Sequence, residues 1–173
     1  QNGEIYNFQE LRDRLEASGP RFATKSDTEI LVHLYEGLGD DFVRELDGMF
    51  ALALWDDRRK RLLLARDRFG KKPLLYAEAG GRLWFGSEFQ AILADPAIRR
   101  DIDYDALDEY LSFMSIPAPL TIYRQIRKVP PASILVRDAK GTHVSRYWSL
   151  QYLPKLEIDE HEAAKEVPRL LTE

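Results

Sequence analysis

The sequence has 173 residues, with 25 Lys and Arg against 29 Asp and Glu, and its formal net charge of −4 argues against a general nucleic-acid binder. It contains no cysteine, which excludes disulfides, thiolate metal sites and a cysteine nucleophile within these residues. Its 3 histidines are widely spaced, so we predict no metal site, and no apolar run approaches the roughly 20 residues of a membrane helix. We therefore expect a cytoplasmic protein that interacts with neither nucleic acid nor membrane.

The first predicted feature is a tight turn at Asn2-Gly3, because both residues tolerate positive φ. Such a turn would place a side-chain amide beside a flexible backbone N–H. Two donors aimed at one point are what a developing oxyanion requires. The alternative interpretation is a plain turn that leads into a helix.

Two helices and a shorter third one are predicted to follow. Apolar residues at helical spacing indicate an amphipathic helix from Phe8 to Leu15, ended by Ser18-Gly19-Pro20. A second helix is predicted to start at Ser26, and residues 40–46 read as the third. Residues 22–24 are too short to classify, although they allow an edge strand.

From Gly48 onward the pattern predicts strands. Residues 49–55 are continuously apolar, which is typical of a strand buried on both faces. The predicted strands are residues 49–55, 61–66, 74–78 and 82–86, joined in series as antiparallel hairpins. A helix is predicted to start at Ser87. Helices, then hairpins, then a helix indicate layers on a sheet rather than alternating parallel units.

The last part of the chain has a looser pattern. We predict a helix over residues 104–113, with Leu107, Tyr110 and Leu111 facing inward. Proline-rich segments surround it, and residues 133–136 and 143–148 read as a hairpin. Residues 157–173 are predicted to form a final helix, in which Pro168 would remove one helical hydrogen bond.

The string Ser26-Asp27-Thr28-Glu29 allows two interpretations. Ser-x-x-Glu ahead of an apolar run is a capping box, in which Ser26 accepts from the Glu29 amide and Glu29 reaches back. This explains Ser26 and Glu29 and leaves Asp27 unexplained, although a carboxylate in the first turn also suits the helix dipole. Beside the opening motif, Asp27 is a natural counter-charge for an α-ammonium group.

The opening motif, the Ser-Asp-Thr-Glu string and the stretches 66–75 and 84–88 together resemble the class II glutamine amidotransferases. The Glu-Ile-Tyr sequence that follows Asn-Gly is similar to that of the glutamine-hydrolysing asparagine synthetases. The resemblance implies that Asn2 and Gly3 are the catalytic oxyanion donors and that Asn2, Gly3, Glu4 and Asp27 bind glutamine. It also implies an α+β fold, the αββα sandwich of the N-terminal-nucleophile hydrolases, with antiparallel sheets.

The family's nucleophile is an N-terminal cysteine that precedes the oxyanion motif, so the resemblance implies an interior fragment whose first strands are missing. It implies part of a glutaminase domain in residues 1–95, an interdomain helix and hairpin segment in 96–155, and the first helix of a synthetase domain in 156–173. The ATP and Mg²⁺ sites would lie in that synthetase domain, with no cofactor or metal in the present residues.

The implied reaction is hydrolysis of glutamine to glutamate and ammonia, followed by ATP-dependent amidation of aspartate to asparagine. The implied partners are glutamine and the chain's own synthetase domain, and a homodimer is allowed. The alternative is a non-catalytic scaffold domain, as in β-lactam synthetases or another ATP-dependent amide-forming enzyme. The missing cysteine fits the scaffold, whereas a cluster of ligand-binding polar groups fits the glutaminase.

Overall fold

The computed structural model describes residues 1–172, which form eight β-strands, five α-helices and one 3-10 helix. The strands are β1 Asn2–Ile5, β2 Gly48–Asp56, β3 Arg61–Arg66, β4 Leu75–Ala79, β5 Arg82–Gly86, β6 Ile126–Lys128, β7 Ser133–Asp138 and β8 Gly141–Arg146. The α-helices are α1 Phe8–Ala17, α2 Asp27–Leu38, α3 Phe89–Leu93, α4 Tyr104–Phe113 and α5 Glu160–Thr172. The 3-10 helix spans Gly39–Arg44.

The strands form two antiparallel sheets. The first sheet has the order β1-β2-β3-β7-β8, and the second has the order β5-β4-β6. The predicted hairpins β2–β3, β4–β5 and β7–β8 are all present. However, β3 pairs with β7 and β4 pairs with β6, so the hairpins are divided between two sheets instead of forming one series. Residues 126–146, predicted as interdomain, thus supply strands to both sheets.

The alternation of side chains along each strand separates the layers. On β2, Phe50 and Leu52 pack against α1 and α2, whereas Ala51 between them packs against the second sheet. On the second sheet, Leu75 and Ala77 face away from the first sheet and pack with Ile92 of α3. The order is therefore helices, sheet, sheet, helix, which confirms the predicted αββα sandwich with antiparallel sheets.

The predicted turn at Asn2-Gly3 is wrong, because these residues belong to edge strand β1. Gly3 pairs with Phe50 and has φ of 125°. A Cβ at Gly3 would lie 1.9 Å from the Met49 carbonyl oxygen. The glycine is required because the two backbones approach closely here, which the Asn-Gly dipeptide alone does not reveal.

Several smaller expectations also differ from the structure. In α4, Tyr110 and Leu111 are exposed, so the predicted inward face is wrong for these two residues, while Leu107 is half-buried and Ala106 is buried. Helical periodicity identifies an apolar stripe but not which element covers it. At the end of β2, Trp55 is 57% exposed, so this strand is buried on both faces only in its first half.

The remaining differences concern element ends. Residues 22–24 form no strand, and the predicted third helix is the 3-10 helix, which ends at Arg44. Helix α5 begins at Glu160 and contains Pro168. Its predicted last residue, Glu173, lies outside the described residues.

Candidate functional site

The predicted site residues lie at the free edge of the first sheet, on and beside β1. Asn2 pairs with Ala51, which packs between the two sheets, while Ile5 packs on the helix side. Because side chains alternate along a strand, Asn2 and Glu4 share the face that looks toward the second sheet. Both side chains are exposed there.

The backbone N–H of Gly3 faces the unpaired edge of β1. The Ile5 N–H donates to Asp27 Oδ2 at 3.2 Å, so Ile5 directs its backbone polar groups away from β2. Directly opposed residues in an antiparallel pair alternate between bonded and non-bonded positions, so Gly3, two residues earlier, has the same orientation. The Gly3 carbonyl oxygen accordingly accepts a hydrogen bond from Gln1 Nε2 at 3.2 Å on this side.

Asp27, the first residue of α2, extends its carboxylate to the same edge. Its Oδ2 accepts from the Ile5 N–H and, at 2.8 Å, from Gln1 Nε2. The side chain therefore points to β1, which is the direction required of a residue that would share a ligand with Gly3. The first turn of α2 also carries the positive end of the helix dipole, which suits an anionic side chain.

An open groove of about 520 Å³ connects three of the predicted site residues, Gly3, Glu4 and Asp27, whereas Asn2 is not among its lining residues. Its lining residues are Gly3, Glu4, Ile5, Tyr6, Phe8, Lys25, Ser26 and Asp27. Two carboxylates, from Glu4 and Asp27, and one ammonium, from Lys25, thus border the same groove. This arrangement of charges is complementary to a small zwitterion, which carries one ammonium and one carboxylate.

The reciprocal capping box predicted for residues 26–29 is wrong in its partners. Ser26 caps α2, but its Oγ accepts from the Thr28 N–H at 3.1 Å. The Glu29 carboxylate instead accepts from the Thr24 N–H at 2.6 Å and the Ala23 N–H at 2.7 Å. The Thr24 hydroxyl also donates to Glu29 Oε2, and this bond together with that from the Ala23 N–H lowers the pKa of Glu29. Asp27 takes no part in this cap beyond weak side-chain contacts.

The Asn2 side chain makes a contact that the sequence analysis missed. Its Nδ2 donates to Ser87 Oγ at 3.1 Å, and Ser87 lies directly after β5 of the second sheet. The sequence contained no signal for this pair, because 85 residues separate the two side chains and only the pairing of strands into sheets brings them together.

Residues 66–75, one of the stretches on which the family resemblance rests, form a loop that the Arg66 and Asp67 side chains hold in place. The carboxylate of Asp67, which is 1% exposed, accepts from the N–H groups of Phe69, Lys71 and Lys72. The Arg66 guanidinium donates to three backbone carbonyl oxygens of residues 70, 72 and 129, and burial lowers its pKa. The Arg66 and Asp67 side chains are thus both satisfied by backbone groups, so these two residues stabilise the fold of the loop.

Two further observations concern the described part of the chain. Within residues 1–172, no three His, Cys, Asp or Glu side chains are grouped closely enough to hold a metal ion. None of the helices in these residues is long and apolar enough to cross a membrane.

Comparison with known proteins matches residues 1–148 to the family described as glutamine amidotransferase domain. Glutamine-hydrolysing asparagine synthetase 3 of Bacillus subtilis (strain 168) is 41% identical over 151 residues, which cover 87% of this chain and 25% of that protein. Glutamine-hydrolysing asparagine synthetase 1 of the same organism is 38% identical over 168 residues, or 96% of this chain and 26% of that protein. The chain thus spans about a quarter of the length of these curated relatives.

Among solved structures, a glutamine phosphoribosylpyrophosphate amidotransferase from B. subtilis, in complex with ADP and GMP, matches with a TM-score of 0.61. The sequence identity is 24%, and the match covers 86% of this chain and 28% of that chain. At this level of identity the likeness supports the fold alone. It agrees with the two-sheet sandwich described above.

Proposed function

The chain belongs to the glutamine amidotransferase domain family, and from this premise we propose that it forms the oxyanion-binding and amino-group-binding part of a glutaminase site. We further propose that the chain is part of a longer protein, a glutamine-hydrolysing asparagine synthetase, as the curated relatives are named. The observation that carries the proposal is the convergence of Gly3, Glu4 and Asp27 on one groove at the edge of β1.

Asn2 and Gly3 are the donors to the oxyanion in this proposal. Hydrolysis of a carboxamide places negative charge on the carbonyl oxygen in the transition state. Preorganised N–H donors aimed at that oxygen lower the barrier. The Gly3 N–H faces the open edge, and the Asn2 amide lies on the adjoining face of the same strand. In this proposal the backbone donor and the side-chain donor, from neighbouring residues, are both directed at the oxyanion.

Asp27 is the counter-charge for the α-ammonium group of glutamine. Its Oδ2 is reached at 2.8 Å by the Gln1 amide nitrogen, so this oxygen accepts nitrogen donors from outside the helix. The bond from the Ile5 N–H holds the carboxylate in place at the same time. Glu4 adds a second carboxylate to the groove, which strengthens its preference for a cationic group.

The remaining chemistry is assigned to the rest of the longer protein, because these 173 residues contain no cysteine. The nucleophile would come from outside them, as would the ATP and Mg²⁺ sites of a synthetase domain. Ammonia released at the glutaminase site would then amidate an ATP-activated aspartate. The present residues would bind and orient glutamine and stabilise the developing oxyanion.

The proposal is tested by measuring glutamate release from glutamine, and asparagine formation with aspartate and ATP, in the longer protein and its Asp27→Asn variant. Asp27 contacts the ammonium in ground and transition states alike, so the variant should mainly raise KM for glutamine. We expect an increase of roughly 10- to 100-fold, since hydrogen bonds to charged groups are worth about 1.5–3 kcal/mol.

The matched control is Asp13→Asn, an exposed aspartate on α1 outside the groove, which should leave KM unchanged. Unchanged KM in Asp27→Asn would contradict the ammonium-binding role. A longer protein that forms asparagine from free ammonia but releases no glutamate from glutamine would contradict the glutaminase. It would instead support the scaffold domain.

A further inference from the structure

The contact between Asn2 and Ser87 joins the two sheets at the site. Asn2 lies on the edge strand of the first sheet, and Ser87 lies just beyond β5 of the second sheet. The bond from Asn2 Nδ2 to Ser87 Oγ measures 3.1 Å.

An asparagine side chain needs a partner of this kind to act as a preorganised donor. Its χ2 torsion is broad, so an amide on an exposed strand edge samples many orientations. Each Asn amide carries two N–H groups. When one of them donates to a fixed acceptor, the rotation of the amide plane is fixed and the direction of the second N–H is fixed with it.

Ser87 is well placed to be that fixed acceptor. The preceding residue, Gly86, pairs with Leu75 at the end of β5, so the backbone is tied to the second sheet. On the other side, α3 begins at Phe89 and its Ile92 is fully buried. A Cβ at Gly86 would lie 3.2 Å from the Ala91 Cβ, so the chain passes close over this helix. Ser87 therefore sits on a short segment held at both ends.

We propose that Ser87 is a positioning residue that orients the Asn2 amide, so that its second N–H points to the oxyanion. This inference rests on the proposed glutaminase function. Ser87 does not contact the reacting atoms, and its effect is transmitted only through Asn2. It extends the site from one edge strand to a segment of the opposite sheet.

The experiment is steady-state kinetics of the longer protein with the variants Ser87→Ala and Ser87→Thr, using glutamine and free ammonia as alternative nitrogen sources. Ser87→Ala removes the acceptor, and we expect kcat with glutamine to fall roughly 10- to 100-fold, as for a misplaced catalytic group. KM should change much less, because the ground-state carbonyl carries little charge. Ser87→Thr keeps the hydroxyl and should restore most of kcat.

A double variant separates positioning from a merely structural role. If Ser87 acts only through Asn2, Asn2→Ala combined with Ser87→Ala should be no slower than Asn2→Ala alone. Losses that multiply would overturn the proposal, as would wild-type kcat in Ser87→Ala or an equal loss with ammonia. The matched control is Ser145→Ala on β8, at the far edge of the first sheet, which should behave as wild type. A wild-type protein without glutaminase activity would overturn the proposed function itself.

Discussion

At the scale of single residues, Gly3 was predicted as a site residue in a turn, and the structure places it in a strand instead. The sequence identified Asn2, Gly3 and Asp27 as candidates because side-chain amide, flexible backbone and carboxylate are the chemistry that the reaction needs. It predicted a turn, whereas Gly3 lies in β1 opposite Phe50. An Asn-Gly dipeptide indicates only that positive φ is tolerated. Positive φ occurs in tight turns, and here it occurs in a strand that lies close to its neighbour.

Substitution of Gly3 should therefore be destabilising for a steric reason. A Cβ would meet the Met49 carbonyl oxygen at 1.9 Å, and backbone on both strands would have to move. We expect Gly3→Ala to lower the free energy of unfolding by about 3 kcal/mol or more. Urea denaturation measures this.

Gly19→Ala is the control, because Gly19 also has positive φ, 116°, but open space where its Cβ would lie. The control carries the backbone strain without the clash. Its loss of stability should be smaller by about 2 kcal/mol or more. Equal losses in the two variants would show that the close approach of β1 to β2 is not what requires glycine at position 3.

At the scale of elements, local sequence signals were enough to predict the hairpins and most helices. They were not enough to predict which strands pair between hairpins. Turn residues predicted the β2–β3, β4–β5 and β7–β8 pairs, because each is closed by a short connection. The division into two sheets depends on β3 meeting β7 and β4 meeting β6, contacts between strands distant in sequence. Strand β6 has only three residues and was not predicted at all.

Tyr147, just after β8, provides an element-scale test that depends on pH. Its hydroxyl donates to the Arg66 carbonyl oxygen at 2.9 Å and so ties the end of β8 to the end of β3. Burial raises the pKa of Tyr147 well above its ordinary value of 10.0, and the nearby Asp67 charge raises it further. The folded state therefore holds this proton more tightly than the unfolded chain does.

Below pH 10 both states are protonated, and the full contribution of Tyr147 to stability is present. Above pH 10 the unfolded chain ionises first, and stability should fall by about 1.4 kcal/mol per pH unit for this group. Tyr147→Phe should remove that part of the slope between pH 10 and 11, measured by urea denaturation. Burial also raises the pKa values of Tyr35 and Tyr76, so the stability of Tyr147→Phe should still fall with pH, but less steeply than that of the wild type.

The control for this prediction is Tyr104→Phe, because Tyr104 is 70% exposed at the start of α4. It should keep the wild-type slope. If Tyr147→Phe keeps the same slope as Tyr104→Phe, burial of the Tyr147 hydroxyl does not contribute to alkaline unfolding.

At the scale of the whole molecule, the proposed site lies at the free edge of the first sheet. Strand β1 is the edge of the first sheet, so the Gly3 N–H is available on the unpaired side, where the Ile5 N–H already donates to Asp27. The N-terminus of α2 supplies Asp27 on that side, and the segment after β5 supplies Ser87 from the other sheet. The residue types in the sequence were enough to propose Asp27. The position of Ser87 beside Asn2 depends on how the two sheets stack, which no local sequence pattern encodes.

The oxyanion role of Asn2 is tested by the kinetics of Asn2→Ala in the longer protein, with glutamine and with free ammonia as nitrogen sources. Removal of one preorganised oxyanion donor should lower kcat for glutamine by roughly 10²–10³, with a much smaller change in KM. Asparagine formation from ammonia should stay at the wild-type rate, because ammonia bypasses the glutaminase site. If Asn2→Ala leaves glutamine turnover intact, or lowers the ammonia-driven reaction equally, Asn2 is not an oxyanion donor.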